Sequence, residues 1–166
     1  MAACGAIPLL GIFVGSSVMV VLLATASGLA LLVELARLRL PFLNMILVAR
    51  FKPLLKDTED RRITGATYIA ISALACFLVF DESVAVVALF FLALGDPLAA
   101  LVGSRMGGFR IFGKSPLGTL AFVAAAISLA AILSAVNVVS FHWGLVVGAV
   151  VAALVELAPS PLDDNL

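Results

Sequence analysis

The sequence predicts an all-α protein, a polytopic transmembrane helix bundle of about five spans with no soluble domain. Three observations lead there. Hydrophobic residues fill 64% of the 166 positions and charged residues only 12%, about half the charged fraction of an ordinary soluble domain. Mean hydropathy is +1.26. The apolar content is spread in long runs over the whole chain rather than gathered in one anchor, and the runs approach the roughly 20 residues that a helix needs to cross a bilayer. Residues 1–166 therefore read as one integral membrane domain.

Met1 to Val33 contains no charge. It lacks the positive flank of a signal peptide, so it is expected to stay embedded. The run is too long for one span, and Pro8, Gly11, Gly15 and Ser16-Ser17 supply a break. That fits a short extra helix ahead of a first span ending near Glu34. Further spans are expected near 63–80, 83–103, 116–138 and 141–158. Cys4 and Cys76 lie in apolar runs, too isolated for a disulfide framework or a metal site, and read as small hydrophobes.

Charge orients these segments. Arg37, Arg39, Arg50, Lys52, Lys56, Arg61 and Arg62 precede the 63–80 run, and Arg105, Arg110 and Lys114 follow the 83–103 run. The connections at Asp81-Glu82 and at Asn137–His142 carry no Lys or Arg. All ten basic residues thus fall on one side, which the positive-inside rule makes cytoplasmic. Net charge is zero, which gives a nucleic-acid partner no electrostatic support. His142 and Trp143 fall on the far side and read as an interfacial anchor.

Small residues recur at four-residue spacing in two runs. Gly95, Ala99 and Gly103 form one stripe; Gly144, Gly148 and Ala152 form another that continues to Glu156. Such faces let membrane helices pack closely, and they carry Asp96 and Glu156 at the cytoplasmic ends of packed helices. An acid in an apolar helix is costly without a partner. Asp96, expected one or two turns inside the end of its span, therefore calls for a cation or a loop Lys or Arg. Magnesium, which takes carboxylates together with phosphate oxygens, fits.

The residues after Asp96 suit an anion. Ser115 is a good N-cap and Pro116 suits the first helical position. The next span should start there with its free N–H groups and positive dipole end at the surface. Lys114 adds a charge, and Gly107, Gly108, Gly113 and Gly118 permit close backbone approach. Gly108–Ser115 also fits GxxxxGK[ST], but a P-loop follows a strand of a parallel sheet and here an apolar helix run precedes it. The match is read as a decoy, and a cytoplasmic turn with snorkelling Lys and Arg is the plain alternative. Glu34 and Arg37, at i and i+3, suggest a local ion pair.

In order, VELARLRLP (33–41), EDRRITGATY (59–68), LGDPLAALVGSRMG (94–107), GKSPLGTLAF (113–122) and VELAPSPLDDNL (155–166) resemble the CTP-dependent lipid-alcohol kinases. This is the family of dolichol, phytol and diacylglycerol kinases, sometimes grouped with phosphatidate cytidylyltransferases. The similarity covers roughly residues 30–166. It implies a multi-pass enzyme that moves the γ-phosphate of CTP to a lipid alcohol at the cytoplasmic face, using Mg²⁺ or another divalent cation. On this chain the resemblance makes Asp96 and Lys114 catalytic, with Glu34 and Arg37 beside them. Gly95, Gly103, Gly107, Lys114, Ser115, Gly118 and Thr119 would hold the nucleotide phosphates. Asp96, Glu156 and Asp164 would hold the metal, and Glu59 and Asn165 would complete the polar site. A cytidylyltransferase making a CDP-lipid uses the same donor. Polar residues gathered at one surface without an internal repeat disfavour a transporter; an inactive membrane scaffold and a homo-oligomer are compatible with the sequence.

Overall fold

The computed structural model describes residues 2–40, 42, 45, 63–106, 110–111 and 113–158. Among them all regular structure is helical: α1 (Ala2–Phe13), α2 (Ser16–Arg39), α3 (Gly65–Val79), α4 (Glu82–Arg105), α5 (Pro116–Ala135) and α6 (Trp143–Leu157). The chain divides into two compact units, Met1–Gly15 with Asp81–Leu166, and Ser16–Phe80. Nothing in the composition announces that division.

In the first unit α4 and α5 form the main antiparallel pair, α6 packs chiefly on α5, and α1 packs on α4. The expected break near the N-terminus falls at Val14-Gly15, while Pro8 and Gly11 ride inside α1. The α4/α5 seam is built from the small-residue stripe. A Cβ on Gly95 would lie 2.6 Å from the Phe122 ring, and one on Gly118 would lie 2.7 Å from the carbonyl oxygen of Ala99. A Cβ on Gly103 would meet Ser115 Cβ at 3.2 Å. The two backbones therefore come together at Ala99 and Gly103, the close approach that small residues allow, while Gly95 makes room for the Phe122 ring.

The helix ends follow local rules. α5 stops at Ala135 and not near 138, because Asn137 takes the left-handed conformation (φ 60). The Val138 and Asn137 amides then donate to the carbonyls of Leu133 (2.9 Å) and Ser134 (3.1 Å), the paired closure of a Schellman motif. His142 is the N-cap of α6: its Nδ1 accepts from the Gly144 amide at 3.1 Å. Beside it Trp143 is 82% exposed, as a residue anchored at an interface would be. At the other end Ala158 is extended (φ −64, ψ 143), as the residue before Pro159 must be.

The stripe expected on α6 is displaced. Leu145, Ala149 and Ala153 are its buried residues, whereas Gly144 and Gly148 are exposed. α6 is apolar on nearly every side, so hydrophobicity does not fix which face turns inward. Glu156 lies seven residues beyond Ala149 and three beyond Ala153, hence on the packed side.

The second unit is a pair, α2 against α3. α2 runs on to Arg39 rather than ending near Glu34, with Arg37 and Arg39 in the last turn, where cations favour the negative end of the helix.

Three helices, α2, α4 and α5, are long and apolar enough to cross a membrane; α3 and α6, at 15 residues each, are shorter apolar helices. Only 22% of the apolar window of α2 is buried inside the protein, and Leu22, Leu29, Leu32 and Val33 are exposed. A greasy exterior on that scale suits lipid and not water.

Candidate functional site

Asp96 lies on α4, nine residues before its last residue Arg105. That is about two and a half turns, or roughly 13 Å, inside the helix end, deeper than the one or two turns the sequence suggested. One turn further on, Ala99 and Ala100 begin a face that continues through Gly103 and Ser104 and lines a cavity of about 300 Å³. Because α4 and α5 touch along the glycine stripe, the first turn of α5 forms the facing wall with Ser115, Gly118 and Thr119. Glu156, from the last turn of α6, completes the lining together with Arg110, Gly113 and Lys114.

The wall at Lys114 is a tight reversal. Ile111 and Lys114 exchange amide-to-carbonyl hydrogen bonds of 2.8 and 2.9 Å, and Gly113 sits at φ 82, a value that side chains disfavour and glycine adopts freely. Ser115 then takes the N-cap position with extended backbone, followed by Pro116 at the first helical position. Its hydroxyl makes no capping hydrogen bond, so no side chain at that position satisfies the first-turn amides. Among the described residues the isolated Ile111/Lys114 bridge is the nearest β feature, and the element before the turn is α4. The GxxxxGK[ST] string accordingly lacks the context of a P-loop.

Lys114 reaches across to α6. Its Nζ donates to the Glu156 carbonyl oxygen and lies 3.0 Å from Glu156 Oε1. The ammonium thus meets a carboxylate and the negative end of α6 through one residue. Both side chains keep partial solvent access, 29% and 22%. Asp96 and Arg110 bring the cavity's remaining formal charges, so the lining holds two acids and two bases.

Of the residues expected in the site, Asp96, Gly103, Lys114, Ser115, Gly118 and Thr119 line this one cavity with Glu156. Gly95 does not line it; a side chain there would run into the Phe122 ring. Gly118, too, is required by packing, since Ala99 O leaves no room for a methyl group there. Glu34 and Arg37 belong to the α2/α3 unit and form the expected local ion pair, with Arg37 Nη2 donating to Glu34 Oε2 at 2.7 Å. Glu34 Oε1 also accepts from the Thr64 amide at 3.1 Å, which ties the end of α2 to the start of α3. Arg37 is only 3% exposed and Glu34 only 6%, so the pair is an internal clasp of that unit. Gly107, Glu59, Asp164 and Asn165 lie outside the described residues.

Arg110, which the sequence marks only as one of the basic residues that orient the chain, and Ser104 also line the cavity. The signal for Ser104 was its position eight residues after Asp96, about two turns further along the same face. Arg110 offered only its place in the loop between two site segments. Ser104 Oγ donates to the Leu101 carbonyl at 3.0 Å.

Among the described residues no three metal-ligating side chains cluster. Asp96 and Glu156 are two carboxylates on one cavity. That set suits a magnesium ion that arrives with phosphate oxygens to complete its shell, not one caged by protein alone. No family model, curated protein or solved structure matches the chain.

Proposed function

We propose that this chain is a membrane-embedded phosphotransferase that moves the γ-phosphate of CTP to a lipid alcohol (a polyprenol, phytol or diacylglycerol) at the cytoplasmic interface. One observation carries the reading: Asp96, Lys114, Ser115, Thr119 and Glu156 surround a single cavity at the start of α5. Phosphoryl transfer is dominated by positioning and by neutralising charge on the transferred group. The α5 amino-terminus and the Lys114 ammonium are suited to the second task. Asp96, deep in its helix, is suited to orienting an acceptor hydroxyl that enters from the lipid between helices. Asp96 and Glu156 would hold the divalent cation, which would supply charge neutralisation to the phosphate. The choice of CTP rests on the resemblance described above. So do the roles of Asp164 and Asn165, whereas the multi-pass arrangement of about five spans rests on the length and spacing of the apolar runs.

The test is an assay with CTP labelled at the γ- or α-position, in membranes supplied with each alcohol. Transfer of γ-label to the lipid is expected; retention of α-label would instead identify a cytidylyltransferase. Asp96→Asn and Lys114→Ala should each reduce γ-transfer at least about 100-fold, the scale on which a transition-state electrostatic partner is lost, with membrane insertion unchanged. Full activity in both purified variants would overturn the assignment. The double hold of Glu156 on Lys114 favours a second reading, a scaffold in which the lysine only fastens α6. CTP binding without turnover by the intact chain would select it.

A further inference from the structure

We propose that Glu156 is the counter-ion which an entering phosphate displaces from Lys114, so that the Lys114–Glu156 clasp gates the anion site. This rests on the phosphate reading of the cavity and adds to it a role for Glu156 distinct from metal binding. Lys114 leaves the 111–114 turn at the threshold of α5 and is held by Glu156 through both the carbonyl and Oε1. The first-turn amides of α5, which no Ser115 capping bond covers, are on the wall of the same cavity, and so is Asp96.

An ammonium has three donors and no fixed plane, so it can change acceptors by rotation about its stem without moving the backbone. A polyphosphate between the α5 amino-terminus and Lys114 offers more negative charge than one carboxylate. It therefore competes with Glu156 Oε1 while the carbonyl contact keeps the lysine near. Partial exposure of both partners, 29% and 22%, makes the exchange inexpensive, because a solvent-accessible pair is weak. Once released, the Glu156 carboxylate stands on the same cavity as Asp96, where a cation accompanying the phosphate would meet both. Glu156 thus acts as a positioning residue, through Lys114.

The test uses the full chain in detergent or nanodiscs, with tripolyphosphate as the probe and no divalent metal, read by calorimetry. Five forms are compared: the unaltered chain, Glu156→Gln, Glu156→Asp, Lys114→Ala and the double variant Lys114→Ala with Glu156→Gln. Glu156→Gln should bind tripolyphosphate roughly two- to five-fold more tightly than the unaltered chain, the worth of a partly exposed ion pair. That gain should vanish when Lys114 is alanine, since the competitor acts only through the lysine. Glu156→Asp, with a shortened reach, should gain less and guards against misfolding of the glutamine variant. Equal affinity of the unaltered chain and both Glu156 variants would overturn the gate while leaving the phosphate site standing. A gain that persists without Lys114 would also overturn it, as a general effect of removing negative charge. No binding by any form would remove the phosphate site itself and the gate with it.

Discussion

Gly118 shows how closely one residue can couple fold and site. Its missing side chain lets the Ala99 carbonyl come to where a Cβ would be 2.7 Å away, and this approach sets the width of the cavity lined by both residues. In lipid, helices gain little hydrophobic energy by associating, so direct packing decides the seam. A methyl group at 118 meets backbone, which cannot rotate aside as a side chain does. Gly118→Ala should therefore destabilise the α4/α5 pair by about 1–3 kcal/mol, the usual cost of overpacking. Gly148→Ala is the matched control, because nothing lies within 4 Å of a Cβ there. Thermal unfolding in detergent should show a lower midpoint for the first variant and an unchanged or higher one for the second. Equal midpoints would mean that the seam yields.

At the scale of elements, the ends of the helices matter more than their apolar middles. α6 has 15 residues, short enough that each terminal turn is a large share of its hydrogen bonding. Its start depends on His142 Nδ1 accepting from the Gly144 amide, and its last turn on the contact of Lys114 with Glu156. His142→Ala removes the first and should cost about 1 kcal/mol, the worth of an N-cap. Amide exchange should quicken in the first turn of α6 and stay unchanged in α4. Uniform change along α6 would contradict a local capping role. These end contacts also mark what the sequence could and could not reveal. The Gly95, Ala99 and Gly103 stripe was legible because four-residue spacing on a helix is itself a statement about one face. On α6 the small-residue spacing points one position away from the buried Leu145, Ala149 and Ala153, because an apolar surround leaves the buried face unspecified. Glu34 with Arg37 was legible at i, i+3, whereas the Thr64 contact 30 residues away and the Lys114 contact 42 residues away leave no trace in local spacing.

At the scale of the molecule, the unit holding the cavity has polar features at both ends of the α4/α5 pair. Asp96, Lys114 and Glu156 mark one end; Asp81, Glu82, Ser83 and Asn137 share a second cavity at the other, with Gly11 and Ile12 of α1. α4 and α5, at 24 and 20 residues, extend about 36 and 30 Å, enough for the hydrocarbon core. α6 extends only about 22 Å, yet its last turn is bonded to Lys114 at the start of α5. Its last turn therefore lies at the level where α5 begins, and the residues between Val138 and His142 make up part of the length by which α5 exceeds it. If α4 and α5 cross a membrane, the bond to Lys114 brings the last turn of α6 back to the side on which α5 begins. Single cysteines can decide this in a background lacking Cys4 and Cys76. Ser140, Met106 and Ala158 are exposed and flank the three helices. With an impermeant maleimide on intact cells, Ser140→Cys should label at once, while Met106→Cys and Ala158→Cys should label only after permeabilisation. Ala158→Cys labelling alongside Ser140→Cys would break the pairing of α6 with the Lys114 turn. Labelling of Met106→Cys and Ala158→Cys alone would invert the orientation drawn from the basic residues and put the proposed nucleotide site beyond the reach of CTP.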